Sequence, residues 1–373
     1  MRYVATTLAL GFALFGSYLG AEETRDWWSF RLQKEKVRPG ALNDIDRMVL
    51  SAGSDGILSP GSLQLPISVV NTYADLGEQN IDLYSYSLGA QFDRGWRTTV
   101  FDIEYASTDV PSGGGYQTTI NESYLAFSLG SGPSTTTSTT LTNAQLVSVG
   151  AQYDRYRLMY EDTFWLWRDQ QNWLSGVGFL AGVDTQVSQY QSDLVGSGVS
   201  AFSSVGETSG TPISLNFSSS IAPLGTVESL VATVSANLGL KYRWQFDFGL
   251  TLEGVVAWGY GLGRANYKQR LNYITTVAII PGSPPLQTPT NLKTERDLSG
   301  ESEAFKWHLE ADYRLHESYS VALRYGYRET RFLPNKLEKK EKVGTAPPSS
   351  GLGPFLPITD ISQYIGIELR YRY

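Results

Sequence analysis

The chain contains no cysteine, two histidines and three methionines among its 373 residues. Without Cys there is no disulfide framework, no thiolate metal site and no residue to carry the lipid of a lipoprotein. Two His and no H-E-x-x-H pattern leave no cluster with metal-ligand spacing, so neither a metal nor a cofactor is expected. The acidic pair Asp44 and Asp46 lacks the twelve-residue loop and terminal Glu of a calcium site. Charged residues are only 18% and their balance is −7, which argues against nucleic acid as a partner. Beyond residue 21 no stretch approaches about 18 uninterrupted apolar residues, so no transmembrane helix is expected. The low-complexity "GSGPSTTTSTT" from Gly130 lacks the Lys of a phosphate-binding loop.

What is abundant is aromatic and small: 23 Tyr, 15 Phe, 9 Trp and 37 Gly. Rings that sit half wet suit an interface between water and an apolar phase. The chain opens on Met1-Arg2, an apolar run and small residues near Gly20 and Ala21, and residues 1–21 are expected to be a signal peptide. Residues 22–80 show no clear strand rhythm and are expected to be an N-terminal extension: a periplasmic segment, a plug or a first strand. Within them "NDIDRMVLSAGSDG" from Asn43 predicts a short helix capped by Asn43 or Asp44.

From Ile81 to Tyr373 the pattern changes to period two. In residues 303–314, Phe305, Trp307, Leu309, Ala311 and Tyr313 alternate with Lys306, His308, Glu310, Asp312 and Arg314. In residues 319–328 an apolar row alternates with one containing Arg324 and Arg328, and at the terminus Ile365, Ile367, Leu369, Tyr371 and Tyr373 alternate with Gly366, Glu368, Arg370 and Arg372. "SLGAQFDRGWR" from Ser87 and "SVGAQYDRYRL" from Ser148 resemble each other, and each shifts phase near its Asp-Arg pair as a hairpin turn or a bulge does. Connections near residues 168–172, 243–245 and 315–318 are tight. Those at 191–225, 272–300 and 332–359 are long and rich in Ser, Thr, Gly and Pro.

Alternation also occurs in soluble sandwiches. Here the segments match the ~9–11 residues of a strand tilted across a bilayer, with rings at their ends where a girdle would lie. A lipid-facing sheet must close, because hydrocarbon cannot satisfy an edge. The fold expected is therefore all-β, an antiparallel transmembrane β-barrel of about 10–12 strands over residues 81–373 with long extracellular loops. The closing "YIGIELRYRY" resembles the C-terminal strand signal of Gram-negative outer-membrane β-barrel proteins. That resemblance implies outer-membrane localisation, insertion by the barrel-assembly machinery through Ile365, Ile367, Leu369, Tyr371 and Tyr373, and a bilayer with lipopolysaccharide as surroundings. Eleven segments are countable where an even number is wanted. The count is ten if 143–167 is one bulged strand and twelve if a further strand hides before Asp75, with twelve preferred.

The polar rows then face the lumen: Lys306, His308, Glu310, Asp312, Arg314, Arg324, Arg328, Glu368, Arg370 and Arg372. Their mixed signs allow either a mutually neutralised filling or a basic-lined, porin-like channel for small polar solutes; the channel is the function expected. The alternative is a closed barrel acting as a structural or surface-binding protein through 191–225 and 272–300. A hydrolase is the third reading, resting on His308 beside Glu310 and Asp312, and no nucleophile motif accompanies it. The catalytic patterns of the omptin proteases, the phospholipase and the lipid A deacylases that share such barrels cannot be placed on these residues, so no enzyme is expected. His316 falls in a turn.

Overall fold

A computed structural model of the chain describes residues 26–44, 55–56, 64–75, 80–110, 115–128, 134–168, 176–208, 211–277, 286–340 and 356–372. The expected signal peptide, Tyr373 and most of the helix expected from Asn43 lie outside them. Among the described residues fourteen strands run in chain order: β1 Trp27–Arg38, β2 Asp55–Gly56, β3 Gln64–Asp75, β4 Ile81–Asp93, β5 Arg97–Val110, β6 Gly115–Ser128, β7 Ser134–Arg168, β8 Gly176–Thr208, β9 Thr211–Ile221, β10 Leu224–Gln245, β11 Leu250–Val277, β12 Leu286–His316, β13 Tyr319–Lys340 and β14 Ile358–Arg372. One helical turn, α1 at Gly40–Asn43, follows β1; Asn43 and Asp44 stand at its C-terminal end, and Pro39 precedes it.

Ten of these strands close on themselves in the order β1-β4-β5-β7-β8-β10-β11-β12-β13-β14, every pair antiparallel. Ten strands in the ring, where twelve were preferred, follow from four features, of which the first is that β6, the countable segment near 118–130, pairs with β3 and β7 and stands outside the ring. Residues 143–167 belong to one strand, β7, whose bulge falls between Val149 and Gln152 at Gly150 (φ 61°), a left-handed conformation that glycine adopts without strain. The strand before Asp75 exists as β3, but it pairs with β6 outside the ring. And β1, in a stretch without evident rhythm, stands in the wall between β4 and β14. The first of the two similar segments turns at Asp93-Arg94 with Gly95 in the left-handed region. In the second, Asp154-Arg155 lies in mid-strand beyond the bulge.

The connections at one end are short, as at Asp93–Arg97, Gln245–Leu250 and His316–Tyr319, and β1 begins and β14 ends there. At the other end the strands continue past the ring. The expected loop 191–225 is mostly paired strand, with β8 against β9 from Gly198 to Thr208, and 272–300 is largely the β11–β12 hairpin. On one side β3, β6, β7, β8 and β9 form a sheet that rises beyond the barrel as the continuation of its wall.

Alternation sorts the two faces. Outward on β14 stand Ile365, Ile367, Leu369 and Tyr371; on β13 Tyr319, Leu323 and Tyr325; on β11 Trp258, Tyr260 and Leu262; on β1 Trp28, Phe30 and Leu32, all more than 40% exposed. An apolar ring of this kind faces hydrocarbon, since a water-facing sheet would carry polar residues there. The belt ends on each of these strands, and on the neighbours β12 and β13 it ends in register, Glu303 opposite Arg331. Outward positions become Lys34 and Lys36 on β1, Glu303 and Glu301 on β12, and Glu329 and Arg331 on β13. At the short-turn end Trp96, Phe248 and Leu315 are exposed on the turns, where an interfacial girdle sits.

Candidate functional site

The inward rows carry the polar chemistry, arranged in two layers. Nearest the short turns is an ionic layer. Arg31 on β1 pairs with Asp102 on β5 and with Glu368 on β14 (3.3 Å). Glu368 also holds Arg370 (2.8 Å), and Arg370 reaches Glu310 and Asp312 on β12, the latter at 2.9 Å. Arg324 on β13 binds Glu310 at 2.5 Å. On the far wall Lys241 (2.6 Å) and Arg243 (2.5 Å) share Glu253, and Arg157 pairs with Asp184. Arg155, on β7, lies between Glu35 (2.6 Å) and Glu104 (2.5 Å), all three nearly inaccessible.

Side chains meet across the lumen. Lys306 on β12 meets Glu161 on β7, Arg328 on β13 meets Glu104 on β5 at 3.4 Å, and Gln186 on β8 donates to Asp360 on β14 at 3.0 Å. These strands stand four or five places apart around a ring of ten, so the walls are bridged by direct side-chain contact. The bridged set contains nine cations (Arg31, Arg155, Arg157, Lys241, Arg243, Lys306, Arg324, Arg328, Arg370) and nine carboxylates (Glu35, Asp102, Glu104, Glu161, Asp184, Glu253, Glu310, Asp312, Glu368). Charges removed from water must be paired in this way, or the desolvation cost goes uncompensated. Within the layer a cavity of about 40 Å³, bounded by Arg31, Asp102, Glu161, Lys241 and His308, has room for a few water molecules.

Above the ionic layer the inward rows turn apolar. Val37, Leu83, Tyr153, Tyr190, Val231, Tyr267, Phe332 and Ile358 form one buried cluster. α1 is its lid: Ala41 and Leu42 are fully buried, and the turn touches β14 on its own side and β8 and β10 across the ring. Two carboxylates hold it in place. The Gly40 N–H donates to Asp360 (2.5 Å), the Thr359 N–H donates to Asp44 (2.7 Å), and Arg38 pairs with Asp44 at 3.2 Å. A Cβ at Gly40 would stand 2.9 Å from Ile358 Cγ2 and 3.0 Å from the backbone of Thr359, so only glycine lets the chain turn inward here.

Asp360 lies beyond the apolar belt, and its carboxyl is pushed up to about 6, chiefly by burial and further by Asp44, while the Gly40 N–H and Arg155 oppose the shift. A raised acid binds its proton more tightly folded than unfolded, so this contribution to stability is present at low pH and lost as pH rises through about 6. Hydrogen exchange at the Gly40–Asp44 amides, corrected for intrinsic rate, is therefore slower at pH 5 than at pH 7.5, and Asp360→Asn removes the difference. An unchanged pH dependence in that variant would dissociate Asp360 from the lid.

Of the residues singled out in the sequence, Lys306, His308, Glu310, Arg328 and Glu368 are buried inside the ring, and Asp312, Arg324 and Arg370 line it half-buried. Arg314 and Arg372 do not join them. Both sit at the short-turn rim, where Arg314 is exposed and Arg372 stacks over the Trp27 ring at 5.9 Å. His316 is exposed in its turn, its Nδ1 accepting the Ser318 N–H at 3.3 Å. Arg31, Glu35, Glu104 and Arg155 were missed. For Arg31 and Glu35 the signal was the alternation Trp28, Phe30, Leu32 against Ser29, Arg31, Gln33, hidden because the outward face of β1 turns polar at Lys34.

Closed ring, outward apolar belt and ion-paired interior together define a transmembrane β-barrel with a filled lumen. No protein family and no curated protein matches the chain by sequence. Solved structures similar to it in outline are outer-membrane barrels. The outer membrane protease OmpT from Escherichia coli matches at 10% identity and TM-score 0.40, over 96% of this chain and 99% of that one. The translocator domain of the autotransporter NalP from Neisseria meningitidis matches at 9% identity and TM-score 0.23, over 100% and 98% respectively. The CymD monoaromatic hydrocarbon channel matches at 9% identity and TM-score 0.18, over 94% and 89%.

Proposed function

We propose that the chain is an outer-membrane barrel that does not conduct, and that it works as a structural or surface-binding protein by holding a sheet of its own strands beyond the membrane. The observation that carries this reading is the direct contact across the lumen by Lys306–Glu161, Arg328–Glu104 and Gln186–Asp360. Above them a second seal follows, the apolar cluster under α1. In this reading the short turns face the periplasm, the bilayer with lipopolysaccharide surrounds the belt, and the barrel-assembly machinery inserts the chain.

Against a pore for small polar solutes stands the pairing of Arg324, Arg328 and Arg370, each engaged by a carboxylate. A neutralised lining has no fixed charge with which to select ions. Reconstituted in a planar bilayer, the protein gives no stepwise current. Ohmic steps whose ion selectivity shifts in Arg324→Glu or Arg370→Glu would restore the channel reading.

A further inference from the structure

On β7, β8 and β10 the outward belt ends at Tyr156, Val187 and Leu230. A polar girdle follows, made of Gln152 and Asp154, then Gln189, Gln191 and Asp193, then Thr226 and Glu228, with Asp109 beside it on β5. Asp109, Gln152, Gln191 and Glu228 are partners in one row across four strands. Beyond this girdle a second apolar patch begins. Val147, Val195 and Leu224 stand opposite one another in direct register on β7, β8 and β10, with Val149 and Val199 next to them, and all five are at least 43% exposed.

The patch lies outside the belt, separated from it by carboxylates, so lipid does not account for it. Residues 134–149, 195–206 and 211–227 contain no Asp, Glu, Lys or Arg. The surface is thus neutral and aliphatic above and carries Asp109, Asp154 and Asp193 below, with no outward Lys or Arg at the girdle of β5, β7 and β8 among the described residues, while Glu228 at its β10 edge stands opposite Lys268 of β11. β7 and β8 are interior strands whose backbone is hydrogen-bonded on both sides, which leaves side chains to bind. A two-fold pairing of this face with a second copy would set like carboxylate rows against each other. Exposed apolar surface of this kind marks an interaction site.

We propose that this patch docks a partner protein through an aliphatic surface flanked by Lys or Arg. The inference deepens the surface-binding reading and rests on it. Bilayer conductance would sink that reading without touching the docking result, so the two failures are distinguishable.

The test uses the full chain in phosphatidylcholine nanodiscs and a fluorescent peptide of alternating Val and Thr with a pair of Lys at each end, compared with the same peptide carrying Glu at its ends. The Lys-flanked peptide binds about tenfold or more tighter, a margin that charge complementarity of this kind supplies. Val195→Asp and Leu224→Asp each weaken it by a similar factor. Asp193→Asn with Asp154→Asn, which leaves the aliphatic surface intact, abolishes the preference between the two peptides. Absent binding, equal binding of both peptides, or indifference to Val195→Asp in a folded barrel overturns the proposal. So does a concentration-dependent dimer that Val195→Asp dissolves, which gives the patch to a second copy, or binding of phosphatidylglycerol vesicles that the same change removes, which gives it to lipid.

Discussion

Replacing Arg155 by methionine lowers the unfolding free energy of the barrel by about 3–5 kcal/mol, the cost of leaving buried charge without its counter-charge. Arg155 holds both Glu35 and Glu104, and all three are 2% exposed or less. Methionine fills much of the same volume, so the loss reports charge rather than a cavity. Equilibrium urea unfolding in detergent micelles measures it. Adding Glu35→Leu to the methionine variant recovers part of the loss, because it removes a carboxylate left without its cation, whereas Glu104 keeps Arg328 as its partner. Should the single variant lose less than about 1 kcal/mol, the size expected of an exposed pair, water reaches this layer and the filled lumen is wrong.

The second large effect maps the membrane. Ile367 lies midway along the outward apolar row of β14 and is 61% exposed in the isolated chain. Ile367→Arg places a cation at the bilayer midplane and costs about 2–4 kcal/mol, whereas Gln363→Arg, at the belt's edge on the same strand, costs about 0–1 kcal/mol. Unfolding from vesicles of phosphatidylcholine separates the two. Equal costs would mean that the outward row is not in hydrocarbon. Because β13 and β14 are in register, Leu323→Arg, opposite Ile367, behaves as Ile367→Arg does.

The terminal strands were legible because each residue there has one neighbour environment. Ile365, Ile367 and Leu369 meet lipid and Glu368 and Arg370 meet the lumen, so period two survives in the text of the chain. β1 was not, since above Leu32 its outward positions are Lys34 and Lys36 and its inward ones begin with the buried polar Gln33 and Glu35, so the hydrophobic alternation disappears. The long connections misled for a related reason. In 197–208 and 211–220, Ser, Thr and Gly dominate, a composition common to loops, yet the backbone pairs as strand because neighbouring chain segments offer hydrogen-bond partners that no local propensity records.

Arg324, Arg328 and Arg370 look like a basic lining when read along their own strands. Their neutralising partners are Glu310 across one strand, Glu104 across the lumen and Glu368 beside them. Arg314 and Arg372 share the same parity but fall at the rim, because parity assigns a face and says nothing of height along the barrel.

The order of residues alone determined that this chain makes a sheet with one apolar and one polar face, since alternation is a local property of each strand. Whether that polar face encloses a water column or fills its own interior depended on the closure at ten strands and the inward turn at Gly40. Both arise from contacts between residues far apart in the chain. Only the distance between opposite walls decides whether Lys306 and Glu161 neutralise each other or hydrate a pore.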